Sequence, residues 1–295
     1  MAWADVAATV PPVTIFDTDT ALTELSSGRH EVQINRNWWI VAGPNGGLLA
    51  AQFLAAACAV VDDRPVRTMT VHYAAPPVEG SATIETIVER RGRSAAFLRQ
   101  RMEQDGKLVA STLVAMMGAK DSVAEWNELA VPDVQAPDDC PVMADSDASI
   151  PLRGRWDMRW TAGVPGRPSN LAQPGDVVVG GWTRLSEDQP LDQRVLAAMS
   201  DAWIPPAMIA HHGRFAAPTI ELTIHFRAGL APEFTQPGAW CHALFRSPVV
   251  SEGYVDEVGE IWSADGRLLV QSRQISLLIP LPDMGDRDEM RWEMP

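Results

Sequence analysis

Asp201 is the residue in this sequence whose surroundings most clearly suggest chemistry. It lies in an apolar run, because residues 195–199 read VLAAM and Ala202 and Trp203 follow it. A carboxylate in such a run is costly to desolvate unless it is paired, and desolvation raises its pKa. Asp201 is therefore a candidate general base near neutral pH. A solvent-facing helix position or a helix cap would explain the same residue without chemistry.

A weak internal repeat provides a second way to select residues. The sequence TVHY at 70–73 recurs as TIHF at 223–226, at an offset of 153 residues (223 minus 70). Further on, DGKL at 105–108 recurs as DGRL at 265–268, at an offset of 160 residues (265 minus 105). One loop insertion absorbs the difference between the offsets. Each Asp-Gly lies between strand-like runs and predicts a hairpin turn.

Polar residues that replace apolar ones between the two copies indicate where the copies differ in role. Three positions show this change: Asp201 against Leu48, Thr219 against Val66, and Gln274 against Val114. A lone strand Thr is usually a β-favouring residue, and a lone strand Gln usually lies on the wet face. Their coincidence with apolar partners makes the three residues candidates for one polar site.

Each copy begins with a helical run and continues with four strand-like runs. Residues 46–61 are almost all apolar, which predicts a buried helix, and residues 192–203 form the second helical run, ended by Pro205 and Pro206. The pattern predicts an α+β fold with two long antiparallel sheets, each wrapped around a buried central helix. The strand-like runs are 67–74, 82–90, 94–104 and 108–118 in the first copy, and 219–227, 240–247, 254–263 and 268–279 in the second.

The chain divides into two domains. Residues 1–120 form the predicted N-terminal domain, residues 121–151 an Asp- and Pro-rich linker, and residues 152–285 the C-terminal domain. Residues 286–295 form a charged tail.

The composition and charge of the chain argue against several classes of function. The net charge of −14 and pI of about 4.8 exclude a general attraction to nucleic acid or anionic membranes. Three well-separated cysteines make a disulfide framework or a cysteine zinc site improbable. Residues 1–12 have no signal-peptide pattern, and the longest apolar run is too short to span a bilayer, so a cytoplasmic location is expected. The sequence contains no phosphate-binding loop and no dinucleotide fingerprint, so neither a cofactor nor a metal is expected.

At these residues the sequence resembles the acyl-CoA thioesterase II-like family of double-hotdog proteins. The resemblance extends over about residues 30–280. It rests on PNGGLLA at 44–50 and RGRS at 91–94 in the first copy, and on AAMSD at 197–201 and VQSRQ at 270–274 in the second. The family often has His or Phe where this chain has Asn45. Its catalytic trio of Asp, Thr or Ser, and Gln falls on Asp201, Thr219 and Gln274.

The resemblance implies hydrolysis of acyl-CoA thioesters without a covalent acyl-enzyme. Asp201 would take a proton from a water molecule that Thr219 and Gln274 hold. Backbone N–H groups of Gly46 and Gly47, at a helix N-terminus, could polarise the thioester carbonyl, although a tight turn or close packing explains this glycine pair equally well.

The CoA phosphates need cations in this acidic chain. Arg91 and Arg93 belong to its densest basic stretch and could receive those phosphates. An exposed charged strand that resists edge pairing is the competing interpretation of this stretch.

Two other functions compete with hydrolysis. A hotdog enoyl-CoA hydratase resembles this fold but carries His five residues after an Asp, and Pro206 and Ile261 occupy that place after Asp201 and Asp256. A non-catalytic acyl-CoA- or lipid-binding protein with a decayed site is the other alternative, against which the retained trio argues. The resemblance further implies a homo-oligomer, a dimer of double hotdogs paired through sheet edges.

Overall fold

The computed structural model describes residues 13–40, 43–143, 150–164, 171, 176–210, 215–227, 229 and 235–280. Its α-helices are α1 (Ile15–Asp19), α2 (Gly46–Val60), α3 (Gln193–Met199) and α4 (Pro206–Ala210). Its strands are β1 (Thr23–Ser26), β2 (Arg29–Ile34), β3 (Val66–Tyr73), β4 (Gly80–Arg91), β5 (Ala95–Gln104), β6 (Lys107–Met117), β7 (Trp156–Ala162), β8 (Val178–Leu185), β9 (Phe215–Ala216), β10 (Thr219–Phe226), β11 (Cys241–Ser251), β12 (Tyr254–Ser263), β13 (Leu268–Leu277) and β14 (Ile279–Pro280). Short 3₁₀ turns occur at Arg36–Trp38, Pro137–Asp139 and Pro151–Arg155.

Twelve of these strands form one continuous sheet, in the order β1-β2-β4-β5-β6-β3-β10-β13-β12-β11-β8-β7. From the centre outward, the strands of the two halves follow one another in the same order. Along the chain, each half contributes two strands to the sheet before its helical segment and four strands after it. The expectation of two separate sheets is wrong, because β3 and β10 pair with each other. Without that pairing, each strand would leave a row of backbone groups unbonded at a sheet edge.

The junction between the halves coincides with the sequence repeat. β3 and β10 are antiparallel, and Thr70 lies opposite Thr223, its own counterpart at the 153-residue offset. The two hydroxyl oxygens are 2.9 Å apart. A residue paired with its own repeat lies on an approximate twofold axis, so that axis passes between these threonines.

Helix α2 is the predicted buried helix of the first half. Ten of its fifteen residues are buried, and it packs against α3, β3, β4 and β5. Its one polar buried residue, Gln52, donates hydrogen bonds to the backbone oxygens of Asp19 and Gln33, which satisfies its NH₂ group inside the core.

The second half has shorter helices than the sequence predicts. The expected helix at 192–203 is present only as α3, which begins after the cap residue Asp192 and ends at Met199. Pro205 and Pro206 prevent its continuation because proline lacks the N–H that a helix interior requires. Pro206 instead starts α4, where that N–H is not needed. α4 packs against β8 and β11.

The predicted linker contains no regular element between Met117 and Pro137 in the described part of the chain. Val123 and Trp126 there are exposed. The expected tail at 286–295 lies outside the described residues. The longest described helix has 15 residues, and among the residues described none of the helices has the length and apolar character that a membrane crossing needs.

Candidate active site

Asp201 lies immediately after Ser200, the C-cap of α3, and its carboxylate meets the start of α2. The backbone N–H of Gly47 donates to Asp201 Oδ2 at 3.1 Å, and Asn45 Nδ2 donates to the same oxygen at 2.9 Å. Asn45 Nδ2 also donates to the backbone oxygen of Asp201 at 2.6 Å. The positive end of the α2 dipole favours a negative charge at this place.

The approach of α3 to α2 requires a glycine. A Cβ at Gly47 would lie 2.4 Å from the backbone oxygen of Ala198 and 2.8 Å from Asn45 Oδ1. Asn45 Oδ1 accepts from the Gly47 N–H at 3.0 Å and so caps α2. One asparagine thus caps the helix and binds the carboxylate.

A buried carboxylate anchors the loop that carries Asn45. Asp19 is 1% exposed and accepts hydrogen bonds from Trp38 Nε1 at 2.8 Å, Asn37 Nδ2 at 3.0 Å and Asn35 Nδ2. The backbone N–H of Asn45 then donates to the backbone oxygen of Trp38 at 2.8 Å. The position of the Asp201 partner therefore depends on Asp19.

The environment of Asp201 raises its pKa from 3.8 to about 6. Burial is the main cause, and hydrogen bonds from Gly47, Gly46, Thr219 and Asn45 oppose it by stabilising the ionised form. A base with this pKa is mostly ionised at pH 7 and still accepts a proton readily.

The structure brings the three predicted residues together through Thr219, which lies between Asp201 and Gln274. Thr219 Oγ1 is 3.5 Å from Asp201 Oδ1 and 3.4 Å from Gln274 Oε1. Both neighbours are acceptors, whereas a hydroxyl has a single proton, so Thr219 donates to one of them at a time. Thr219 begins β10, and Gln274 lies opposite Leu222 on the neighbouring β13.

Glu257 is a further polar residue of the site that sequence reasoning missed. It is buried on β12, and its Oε1 accepts a hydrogen bond from Gln274 Nε2 at 2.8 Å. Burial and the charge of Asp201 raise the pKa of Glu257 well above its ordinary value. At a fixed offset of 160 residues, Glu257 corresponds to Phe97. The strand pairing shows that its true counterpart is Leu98, because the stretch from this position to the Asp-Gly turn is one residue longer in the second half.

Tyr73 is another residue that the sequence analysis did not select. Its hydroxyl donates to the backbone oxygen of Gly46 at 2.8 Å. Burial and the nearby charges of Asp201 and Glu221 raise its pKa well above 10, so the phenol stays protonated. Its counterpart in the repeat is Phe226, a difference that could have identified it.

The site opens onto a cavity of about 1050 Å³. Asp201, Thr219, Asn45 and Tyr73 of the candidate site line it, whereas Gln274 and Glu257 are not among the described lining residues. The other polar residues of the wall are Arg153, Asp157, Arg184, Ser186, Glu187 and Asp188. Most of the remaining wall is apolar and includes Leu49, Met158, Trp156, Trp160 and Trp203. The rings of Trp160 and Trp203 meet edge to face at 5.4 Å. An apolar ligand with one polar reacting group would suit this cavity.

The four expected substrate-binding residues lie in different places. Gly46 lines the cavity, whereas the Gly47 N–H is already directed at Asp201 and Asn45. The cavity wall contains neither Arg91 nor Arg93 within the described residues.

Arg91 lies at the far end of α2 from Asp201. It pairs with Asp63, beyond the C-terminus of that helix, and 15 residues at 1.5 Å each make α2 about 22 Å long. Its neighbours Arg99 and Arg101 pair with Glu89 and Glu103 at the surface, as the charged-strand interpretation expects.

Comparisons with known proteins identify the family to which the chain belongs. Residues 35–118 match the model of the acyl-CoA thioesterase N-terminal domain, and residues 137–278 match that of the acyl-CoA thioesterase C-terminal domain. A comparison with curated protein sequences found no match.

Three solved structures show the extent of the similarity, and for each 90% of this chain and 98% of the other chain are covered. A conserved protein of unknown function with a hot dog fold from Alicyclobacillus acidocaldarius is 28% identical, with a TM-score of 0.80. A putative thioesterase II from Thermobifida fusca is 26% identical, with a TM-score of 0.76. An acyl-CoA thioesterase II from Mycobacterium marinum is 19% identical, with a TM-score of 0.69, and shows likeness of fold alone.

Proposed function

Because the chain belongs to the acyl-CoA thioesterase family, we propose that it is an enzyme that hydrolyses acyl-CoA thioesters to free acid and CoA. One observation carries the proposal: the Asp201 carboxylate, with a pKa of about 6, lies beside Thr219 at the wall of a large, mainly apolar cavity.

Asp201 acts as the general base in the proposed reaction. Its Oδ2 is occupied by Gly47 and Asn45, whereas Oδ1 faces Thr219 at 3.5 Å. A water molecule next to Oδ1 and the Thr219 hydroxyl gives a proton to Asp201 and attacks the thioester carbonyl. Gln274 acts on this water through Thr219, because Gln274 does not line the cavity within the described chain.

Gly46 and Gly47 help mainly by stabilising the base. Their N–H groups lower the pKa of Asp201 and offset part of the burial cost. Without them, burial would raise the pKa further and leave less of the carboxylate ionised at pH 7. The glycine pair therefore moderates the rise in the Asp201 pKa that burial causes, and the start of α2 holds the carboxylate in place.

The acyl chain occupies the apolar part of the cavity. Leu49, Trp160 and Trp203 line that part, and burial of an acyl chain against such residues gains about 0.8 kcal/mol per methylene group. Among the described lining residues the cations are Arg153 and Arg184. Arg184 is paired with Asp157, so its charge is already partly neutralised within the protein.

The architecture fits a double hotdog. In this interpretation α2 is the central helix of the first half and α4 a shortened central helix of the second, since α2 packs on β4 and α4 on the corresponding β11. The proposed domains are residues 1–120 and 152–285, joined by residues 121–151. Assembly into homo-oligomers and a cytoplasmic location stay predictions.

Release of free thiol from a series of acyl-CoAs of increasing chain length tests the function. We expect wild-type protein to release thiol from at least one of them, and Asp201→Asn to lower kcat by about 100-fold or more, the usual scale of a lost general base. Asp105→Asn is the matched control, because Asp105 is exposed in a hairpin turn with a φ of 50°, which Asn also adopts readily.

Two results would contradict the proposal. If Asp201→Asn kept wild-type activity, Asp201 would not be the base. If the wild-type protein bound acyl-CoAs but released no thiol at any chain length, the protein would be a binding module.

A further inference from the structure

Glu257 is a buried carboxyl group whose identified partner is a residue of the candidate active site. It is 6% exposed, and Gln274 Nε2 donates to its Oε1 at 2.8 Å. Within the described part of the chain no Lys or Arg forms an ion pair with Glu257. Burying a carboxyl group without a cation is unfavourable, so its presence indicates a task beyond packing.

The first half of the chain shows what this place holds where no polar site exists. The strand pairing that joins Glu257 to Gln274 joins Leu98 to Val114 in the first half. Both of those residues are buried hydrophobes. The same position of the fold thus holds a leucine in the first half and a glutamate in the second half, where its strand partner is Gln274.

The bond to Glu257 determines which end of the Gln274 amide faces Thr219. With Nε2 directed at Glu257, Oε1 points to the Thr219 hydroxyl, 3.4 Å away. If the amide were reversed, Nε2 would face that hydroxyl and donate to it. The Thr219 proton would then turn to Asp201 Oδ1, the oxygen that must stay free to receive a proton from water.

We propose that Glu257 is a positioning residue, which fixes the orientation of Gln274 so that its Oε1 offers the Thr219 proton an acceptor other than Asp201 Oδ1. The assignment rests on the proposed hydrolytic function. Glu257 itself touches neither the substrate nor the water, since the described cavity wall does not contain it.

The charge state of Glu257 determines which variants test the proposal. Burial and the charge of Asp201 raise the pKa of Glu257, so one test variant removes the charge and keeps an acceptor, and the other removes both. Glu257→Gln keeps an accepting oxygen for Gln274. Glu257→Leu copies the first half and removes the acceptor.

The kinetic experiment compares these two variants with wild-type protein. We expect Glu257→Leu to lower kcat by about 10- to 100-fold with KM changed less than about twofold, because the loss concerns alignment of the base and not binding. Glu257→Gln retains about a third or more of wild-type kcat. The matched control is Glu260→Leu, because Glu260 lies on the same strand and also faces a glutamine, Gln271, and its activity stays within about twofold of wild type.

A second measurement does not depend on turnover. In ¹⁵N NMR spectra, the side-chain amide of Gln274, assigned by its loss in Gln274→Leu, exchanges slowly in wild type and in Glu257→Gln and rapidly in Glu257→Leu. Wild-type kcat in Glu257→Leu, an equal loss in both Glu257 variants, or unchanged amide exchange in Glu257→Leu would overturn the proposal. If wild-type protein released no thiol, the proposed function would fail, while the amide exchange would still decide the role of Glu257.

Discussion

Replacement of Asp201 by Asn is expected to stabilise the protein while it removes activity. The pKa of Asp201 rises from 3.8 to about 6 on folding, mainly because of burial. Between these two values the unfolded chain has released the Asp201 proton and the folded chain keeps it, so stability falls as the pH rises. Above pH 6 both states are ionised, and the folded state carries the full cost of the buried charge.

The size of the effect follows from the shift. A shift of about two units corresponds to about 3 kcal/mol at 1.36 kcal/mol per unit. Since part of Asp201 faces the cavity, we reduce the expected gain to about 2 kcal/mol at pH 8. Asn keeps an oxygen for the Gly47 and Asn45 donors, and its NH₂ group faces the Thr219 hydroxyl, so the substitution breaks few hydrogen bonds.

Urea unfolding of wild type and Asp201→Asn at pH 8 and pH 4 measures this difference. The variant is expected to be more stable by about 2 kcal/mol at pH 8 and by less than about 1 kcal/mol at pH 4, where Asp201 is protonated in the folded state. Asp105→Asn is the control and changes stability by less than about 0.5 kcal/mol at either pH. A variant less stable than wild type at pH 8 would refute the claim that burial raises the pKa of Asp201.

Two further predictions concern the support of the site. Gly47→Ala places a Cβ 2.4 Å from the Ala198 backbone oxygen, so we expect the free energy of unfolding in urea to fall by about 2 kcal/mol and kcat to fall with it. Gly118→Ala is the control, because a Cβ there meets nothing within 4 Å. Equal stabilities of the two variants would contradict the close approach of α3 to α2. Asp19→Ala leaves three donors without their acceptor, so we expect a loss of about 3 kcal/mol, and a loss below about 1 kcal/mol would show that Asp19 does not anchor the loop before Asn45.

The repeat made much of the fold predictable. The eight strand-like runs of the two copies correspond to β3–β6 and β10–β13, and β12 has the predicted bounds. β1, β2, β7 and β8 were missed, although β7 alternates regularly between buried and partly buried residues. These strands lie before the helix of each half, where the repeat search found no matching sequence, so nothing drew attention to their local pattern.

The sequence pattern did not predict that β3 pairs with β10. A strand at the edge of a sheet and a strand at its centre can have the same residues, because the difference lies in which backbone groups meet. Thr70 and Thr223 were recognised as repeats of one another, but the sequence alone did not indicate that they face each other. Two sheets were therefore expected where one is found.

The catalytic candidates could be selected from the sequence because each is polar where the other copy has an apolar residue. Asp201, Thr219 and Gln274 meet in the folded chain. Glu257 was not found by comparing the two copies at a fixed offset, because a one-residue difference in length aligned it with the wrong residue of the first copy. Asn45 was noted only as a departure from the family pattern, since its contact with Asp201 joins residues 156 positions apart in the chain.

The assignment of Arg91 and Arg93 to the CoA phosphates stays a prediction, although neither residue lines the cavity in the described part of the chain. Arg91 and Arg93 are close to the resemblance motif in sequence, but formal charge reveals neither partners nor position. Asp63, which pairs with Arg91, lies 28 residues earlier in the sequence (91 minus 63), beyond the end of α2. Local charge density therefore predicts a binding patch but does not reveal that Arg91 forms an ion pair with Asp63.

The dependence of kcat/KM on pH tests most directly whether Asp201 is the base. A single base with a pKa of about 6 is about 9% ionised at pH 5 and about 91% ionised at pH 7, so thiol release by wild type should rise about tenfold over this range. The residual activity of Asp201→Asn should lack this rise. A wild-type profile that is flat from pH 5 to 7, or a rise that persists in Asp201→Asn, would contradict the account.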